Sequence, residues 1–538
     1  MEGQICVGPA SPIDLKRRVS KTIHHKDDPG AKAMSKGNMP VLVGAGQAVS
    51  HWTADQGASA APSYVSLATE AAQTALSGFS QQALAAAIDT IAMVRIFDDS
   101  IPNYPYPYGR AENLPRAVAK GIGADPARAI YASTGGQSPQ SLVNEMAARI
   151  HAGDSAIALI TGAEVIGAAK TARRADIKID LSDETGGQLD DRGMGDMLLS
   201  RAEIKHGLVT PAFFYALFEN AIAARDGETR SQHRRTMSEL FKPFSETAAQ
   251  NPYAQFGEAR SIDFLSEPSK ENYPFADPFL KWHMAQDAVN QAAAVLIMSE
   301  AKADEFGIPA RARVYLHGAG EAADANISER PRLDGSWAMD TAIARALEQA
   351  ACTPDDLSLL DLYSCFPCAV LSACSALGID PQTETRSLTL TGGLPFFGGP
   401  GNNYSLHAIA SMYGACTSKP SAKGLVLANG GWMTKEAAGI YSTDRPGEFV
   451  PADPPAKPEH TLSPISGPAE GTIETYTLIR RRGAPAQAIA FVRTVEGDRL
   501  IASSHDADLL SQIDREETSI GRHVVLTTEG EVNTLSLV

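Results

Sequence analysis

Apolar positions in this chain fall into short continuous runs and helical stripes that alternate from about residue 40 onward. "PVLVGAGQ" (40–47) is an apolar run closing on glycine and reads as a strand. "YVSLATEAAQTALSGF" has the spacing of an amphipathic helix, and "IDTIAMVRIF" that of a buried strand. "NYPYPYGRAENLP" is too rich in proline for regular structure. In 133–153, Ser138 reads as an N-cap and Pro139 as the first helical residue. Leu142, Met146 and Ile150 then form one buried stripe, Gly153 ends the helix, and "AIALITGAE" follows as a strand. Residues from 165 to about 275 lose this rhythm and read as a mostly helical insertion over one edge of the core. It carries the basic clusters "AAKTARRADIK" and "TRSQHRRTMSELFKPF".

"DAVNQAAAVLIMSEAKADEFGI" returns to strand and helix, and a second series starts near "ARVYLHGAG". "GGQSPQSLVNEMAARI…AIALITGAE" and "GGPGNNYSLHAIASMY…GLVLANGG" each run glycine loop, helix, buried strand, glycine turn. This is an internal repeat, and strands alternating with helices predict α/β layers around a mostly parallel sheet. A proline-rich linker, 450–471, separates these halves from "TIETYTLIRRR", "AQAIAFVRT", "RLIASS" and "HVVLTT". Those short strands predict a small all-β domain, a five-stranded barrel of the OB kind.

Composition narrows the class. The net charge of −16 argues against a general nucleic-acid binder. No apolar run reaches the ~18 residues that span a bilayer. The six cysteines (6, 352, 365, 368, 374 and 416) do not make a disulfide framework, which points to the cytoplasm. Cys365 and Cys368 form a C-x-x-C without a second pair, so no metal site is expected. Residues 1–38 lack a signal-like apolar core and read as a disordered tail, with Met34 or Met39 as candidate starts.

"DAVNQAAAVLIMSE", "HAGDSAIALITGAE", "DLYSCFPCAV" and "TGGLPFFGGPGNN" together resemble the thiolase superfamily, and within it thiolase-like proteins with an extra C-terminal barrel. The resemblance runs from about residue 40 to 538. It implies a duplicated five-layer αβαβα core with a helical loop domain, plus the OB-like domain. The divisions would be 39–310 (loop domain about 165–275), 311–449, linker 450–471 and barrel 472–538. It also implies coenzyme A or an acyl-CoA as substrate, no permanently bound cofactor, and a homodimer or higher oligomer formed through the core sheet.

The four family catalytic positions depart from the pattern. The nucleophilic cysteine, which belongs at a helix N-terminus where the dipole lowers a thiol pKa, falls on Gly136. The second cysteine falls on about Ala428, the histidine on Gly399, and the Asn or His of the third motif on Tyr363. An acyl-cysteine at the usual place is therefore not available. His407 is the first candidate for acid/base work, or a structural histidine; Cys365 is the second, or an inert buried thiol. Tyr363, Ser364, Asn402 and Asn403 could donate to an oxyanion, the two asparagines equally serving as turn residues. Ser138 could be a nucleophile as well as a cap. Backbone N–H groups at Gly136, Gly430 and Gly431 would form the oxyanion hole. Arg173, Arg174, Arg234 and Arg235 are candidates for the CoA phosphates.

The expected activity is CoA-dependent acyl transfer that makes or cleaves a C–C bond β to a carbonyl. A β-ketoacyl-CoA, or a β-keto acid with CoA, would be the substrate of such a thiolytic or retro-Claisen reaction. The alternatives are a silent or partner-dependent CoA-ester binder and a retro-aldolase on an acyl-CoA.

Overall fold

The computed structural model describes residues 37–78, 81–196 and 198–538. The tail read over 1–38, Met34 and Cys6 therefore lie almost wholly outside the described residues.

Strand Pro40–Val49 carries Gly44 and Gly46 because helix Tyr64–Leu76 rests directly on it. A Cβ at either glycine would lie 2.1 Å from a helix carbonyl, that of Ala75 or of Ala71. The second half repeats this. Strand Tyr315–Ala323 carries Gly318 and Gly320 beneath helix Trp337–Gln349, where a Cβ would meet Ala346 O and Ala342 O, again at 2.1 Å. Each half thus starts with a Gly-x-Gly strand under an alanine-rich helix. That spacing stands in the sequence ("VGAGQ", "LHGAGE") and marks the duplication more sharply than the helix–strand repeat.

The sheets share one topology. The first runs Pro40–Val49, Gln291–Ser299, Ile157–Glu164, Thr90–Met93, Arg128–Tyr131, Asp190–Asp191. The second runs Tyr315–Ala323, Lys435–Ser442, Lys423–Gly430, Leu357–Asp361. In both, the last long strand sits antiparallel between the first strand and a parallel pair. Where the second sheet would continue, Leu362 N donates to Leu388 O at 3.0 Å without a regular strand.

Helices Ser138–Ala152 and Tyr404–Ser418 fill the layer between the sheets. Gln140 of the first accepts from Tyr441 of the second sheet (2.7 Å), and Tyr413 of the second donates to Val43 O of the first sheet (2.7 Å). Outer helices complete an αβαβα stack. Gln137 is the N-cap of the first central helix and Ser138 its first residue, one position earlier than the sequence suggested.

The C-terminal strands close into a ring: Ala469–Arg481, Ala484–Arg493, Arg499–Ser504, Val532–Leu537, His523–Glu529, and back to the first. Strands Arg499–Ser504 and Val532–Leu537 are parallel, and helix Ala507–Ile513 buries Leu509, Leu510 and Ile513 under the barrel. Hairpin Pro274–Ala276/Phe279–Leu280 joins the barrel's first strand at Ile479↔Ala276. Beside this joint Asp277 takes Arg480 (2.6 Å), Arg230 (3.0 Å) and Arg234 (3.3 Å). Asp514 of the barrel takes Arg480 and Arg230, both at 2.6 Å.

A second charged knot fixes the helices above the core. His233, fully buried, bonds Glu228 (2.6 Å) and Glu219 (2.8 Å), and Glu219 also accepts from Cys368 N (2.7 Å) at the start of helix Pro367–Leu377. Burial opposes the imidazolium, but the two carboxylates outweigh it and raise the His233 pKa to about 9. The folded pKa lies above the free value of about 6.5, so its stabilisation is complete below that value and fades as pH rises through about 9. Thermal melts from pH 6 to 10 should show a loss of Tm toward pH 10 that His233→Gln does not show.

Candidate functional site

The site is built where the N-terminus of helix Ser138–Ala152 meets the end of strand Lys423–Gly430. A Cβ on Gly136 would lie 2.4 Å from Asn429 O and 2.6 Å from the Tyr363 hydroxyl. A Cβ on Gly430 would meet Gln137 Oε1 at 1.9 Å and Gly136 N at 3.2 Å. Gly136 is glycine because Tyr363, reaching across from the other half, occupies the space a side chain would need. The resemblance put the nucleophilic cysteine at Gly136, so a phenol now stands in the thiol's place.

Tyr363 is 6% exposed, and its hydroxyl bonds no other group among the described residues. Burial raises its pKa well above the usual value, so the phenol keeps its proton. The N–H groups of Gly136 and Gln137 likewise have no acceptor among the described residues, at the positive end of a 15-residue helix. Gly430 lies beside them, whereas Gly431 turns its carbonyl to Tyr215 (3.0 Å).

Cys365 adjoins this centre. Its Sγ receives Asn429 Nδ2 at 3.7 Å, and Asn429 Nδ2 also donates to the Tyr215 hydroxyl at 3.0 Å. Burial pushes the Cys365 thiol up to about 12, so it is a neutral thiol rather than a ready nucleophile. Cys368 turns to Tyr215 O. Ser364 Oγ accepts from Leu394 N (3.3 Å) and holds the glycine loop.

The glycine loop 391–401 is close to protein rather than to open space. A Cβ at Gly392 would strike Ala248, at Gly398 Gln291, and at Gly401 Glu164, at 2.4–2.6 Å. Asn402 spends its amide on Arg95 O (2.8 Å), Ser100 Oγ (3.0 Å) and Gly135 N (3.1 Å), which ties the two halves together. Asn403 is buried opposite Gly162, with both amide atoms unpartnered.

His407 belongs elsewhere. Its Nδ1 meets Gln47 Oε1 (2.8 Å) and its ring packs on Phe397, and burial brings its pKa down to about 3. Ser138 Oγ donates to Ser133 O (2.7 Å) and is engaged. The four arginines are not one cluster. Arg234 is committed to Asp277 and Pro278 O, Arg235 pairs with Glu239, and Arg173 and Arg174 are exposed on helix Ile166–Ala175.

Three members of the site had no signal in the sequence. Asn429, Gln137 and Glu436 stand in an ordinary strand, a helix start and an alanine-rich strand. The structure sets them apart by unsatisfied atoms: Asn429 Oδ1, Gln137 Oε1 and both oxygens of Glu436 are buried without a partner. Native proteins leave few such atoms unmatched. Gly136→Ala should cost about 1–3 kcal/mol by overpacking, because the Asn429 carbonyl cannot yield. Urea denaturation measures it.

A duplicated five-layer core with a buried helix N-terminus at the junction of its halves defines a thiolase-type protein. Residues 450–531 match the family described as thiolase-like protein type 1 additional C-terminal domain. The crystal structure of a monomeric SCP2-thiolase-like protein type 1 from Mycobacterium smegmatis is 35% identical, covers 94% of this chain and 100% of that one, and has a TM-score of 0.79. This chain belongs to the SCP2-thiolase-like type 1 family of the thiolase superfamily. A structure described as Ltp2-ChsH2(DUF35) aldolase shares the fold at 16% identity, with a TM-score of 0.56 over 76% of this chain and 99% of that one. Over 125 residues the chain is 29% identical to a probable acetyl-CoA acetyltransferase of Mycolicibacterium smegmatis, a stretch covering 22% of this chain and 29% of that relative.

For the homodimer or higher oligomer expected from the resemblance, proteins of this fold include one described as monomeric and one described as dimeric. The outer strand of the first sheet, Arg128–Tyr131, is already paired with the chain's own Asp190–Asp191. That segment is fastened by the Arg95–Asp191 ion pair and by Arg192 on Glu145 (2.6 and 2.8 Å). Among the described residues, no helix is long and apolar enough to cross a membrane.

Proposed function

We propose that this protein makes or breaks a C–C bond adjacent to the carbonyl of an acyl-CoA by proton transfer, without an acyl-cysteine, and works as a monomer. One observation carries the reading: the Tyr363 phenol stands at Gly136, in the place of the nucleophile, held protonated beside free backbone N–H groups. Cleavage of such a bond leaves an enolate. The N–H groups of Gly136 and Gln137 stabilise its oxygen, and Tyr363 delivers a proton to its carbon. In the retro-Claisen sense the acyl group passes directly to the CoA sulfur, and the thiol proton replaces the one that Tyr363 gives to the enolate carbon.

A second reading, retro-aldol cleavage, is favoured by one feature. The Cys365 thiol and the His407 imidazole are both held neutral, and a retro-aldol step needs no thiolate. A structure described as Ltp2-ChsH2(DUF35) aldolase shares this fold, which supports the second reading.

The test is incubation of the purified full chain with β-ketoacyl-CoAs, β-hydroxyacyl-CoAs and β-keto acids, with and without CoA, with products read by mass spectrometry. A shortened acyl-CoA that requires added CoA establishes the retro-Claisen sense. A ketone or aldehyde released without CoA establishes retro-aldol cleavage. CoA-ester binding with no turnover across the panel would replace both with a binding role.

A further inference from the structure

Beside the Tyr363 centre, on the face of the second sheet that carries Gly430, stands a cation that the mechanism above does not use. Lys435 opens strand Lys435–Ser442 and pairs with Gly430, so the two positions face the same side. Directly opposed side chains start about 4.5–5.5 Å apart, and a Cβ on Gly430 would lie 3.2 Å from Gly136 N. The Lys435 Cβ is therefore within about 9 Å of that free N–H. Its Nζ lies 3.6 Å from where a Cβ on Gly195 would stand, and Ser133 Cβ lies at the same distance from that point. Ser133 O accepts from Ser138, the first residue of helix Ser138–Ala152. The ammonium thus stands beside the start of that helix.

Lys435 is half-buried, and among the described residues it donates no hydrogen bond and forms no ion pair. Asp196 acts on its charge from beyond ion-pair distance, and burial opposes that charge. The neighbouring arginines are already committed: Arg95 bonds Ala132 O and Asp191, and Arg192 holds Glu145. Gln137 Oε1, which a Cβ on Gly430 would meet at 1.9 Å, has no partner either, so the lysine does not take it. A cation drawn partly out of water without an answering group costs stability, and a bound anion relieves that cost.

We infer that Lys435 receives a carboxylate carried on the acyl half of the substrate, so that the site takes CoA esters whose acyl group bears a second carboxyl group. This rests on the CoA-ester reading given above. Position decides between the two kinds of anion that such a substrate holds. The CoA phosphates are separated from the sulfur by the whole pantetheine arm. Lys435 instead springs from the residue facing Gly430, next to the N–H groups assigned to the reacting carbonyl. A cation there meets the acyl half.

The role is selection. A charge-assisted bond from an ammonium to a carboxylate is stronger than a neutral hydrogen bond, and partial burial lets salt screen it less. A plain alkyl chain in the same place leaves the ammonium unanswered. Lys435 holds the far end of the acyl group while Tyr363 and the helix N–H groups act on the near end. The turn before it is fixed in advance. The Trp432 ring stacks on Phe214, at 4.4 Å between centroids, and its Nε1 donates to Leu198 O (3.0 Å). Thr434 Oγ1 accepts from Arg330 (2.8 Å) and from Trp432 N (3.2 Å). The lysine stem therefore starts from a held backbone.

Isothermal titration of the full-length protein with glutaryl-CoA against valeryl-CoA, and adipyl-CoA against hexanoyl-CoA, compares esters of equal chain length with and without the carboxylate. The wild type should bind the carboxylated member of a pair about 10-fold more tightly or better. Lys435→Met, which leaves no partner behind, should fold and lose that preference, and Lys435→Arg should keep most of it. Equal affinities in the wild type, or a preference that persists in Lys435→Met, would overturn the proposal and leave the reading of Tyr363 intact. The same acyl groups on pantetheine, which lacks the nucleotide phosphates, settle the source of the anion. If Lys435→Met weakens all the CoA esters alike and none of the pantetheine esters, the lysine meets a phosphate and the proposal falls. A preference that holds in binding, with no turnover across the panel above, would sink the proton-transfer reading alone. Failure of every ester to bind would overturn both.

Discussion

Tyr363→Phe should fold as the wild type does and lose C–C bond cleavage by about 10²–10⁴-fold, the range for removal of a positioned acid or base. Stability should be spared because the hydroxyl bonds nothing among the described residues, and the ring keeps its edge contact with Tyr404, at 5.3 Å between centroids. Loss of activity at unchanged Tm therefore separates chemistry from folding. The effect belongs in kcat, since the phenol acts on the developing carbanion rather than on the bound CoA ester. Gly136→Cys should not restore a thiolase. A Cβ there would lie 2.4 Å from Asn429 O, so the new thiol would arrive with a displaced backbone. Activity of Tyr363→Phe within a few-fold of wild type would remove the phenol from the mechanism.

Asp277→Ala should give the largest loss of stability, about 3–5 kcal/mol, the usual cost of removing one partner from a buried ion pair. Asp277 is almost fully buried and answers three guanidinium groups, two from helix Arg230–Gln250 and one from the barrel. Without it, Arg230 and Arg480 keep Asp514, Arg230 also keeps Glu516 (3.4 Å), and Arg234 is left with the Pro278 carbonyl. Burial works against the Arg480 charge, yet Asp277 and Asp514 outweigh it and keep its pKa above the usual guanidinium value. Hydrogen bonds from Arg480 and Arg230 bring Asp514 down to about 2. The seam's contribution from Asp514 is therefore complete above the free carboxyl value and is lost as pH falls through about 2. Urea denaturation measures the loss, and limited proteolysis should find the segment between strands Lys435–Ser442 and Ala469–Arg481 opened first. Unchanged stability would mean that the barrel is held by its apolar contacts alone.

Much of the architecture was legible because it is written in periodicity. The helical stripe of Leu142, Met146 and Ile150 and the apolar run 157–164 are local patterns that burial enforces. Gly136 and Tyr363 were also found from the sequence, through the places they occupy in the thiolase pattern. Their meaning was not legible, because it depends on one contact between residues from opposite halves. The same limit explains Asn402, whose amide ties three separate segments, and Arg234, whose charge answers an aspartate 43 residues away. His407 illustrates the converse. Its sequence neighbourhood resembled a catalytic loop, but its position on helix Tyr404–Ser418 turns it toward Gln47. Glu436 carries no sequence signal at all, since a glutamate in an alanine-rich strand reads as a solvated edge until the sheet register places it opposite Asn429.

The most direct measurement is the product analysis of acyl-CoA cleavage by the full chain, run beside Tyr363→Phe. The account predicts a C–C cleavage product from the wild type, no acyl group attached to the protein by intact mass, and loss of that product in the variant. An acylated protein, or equal product from both, would contradict it.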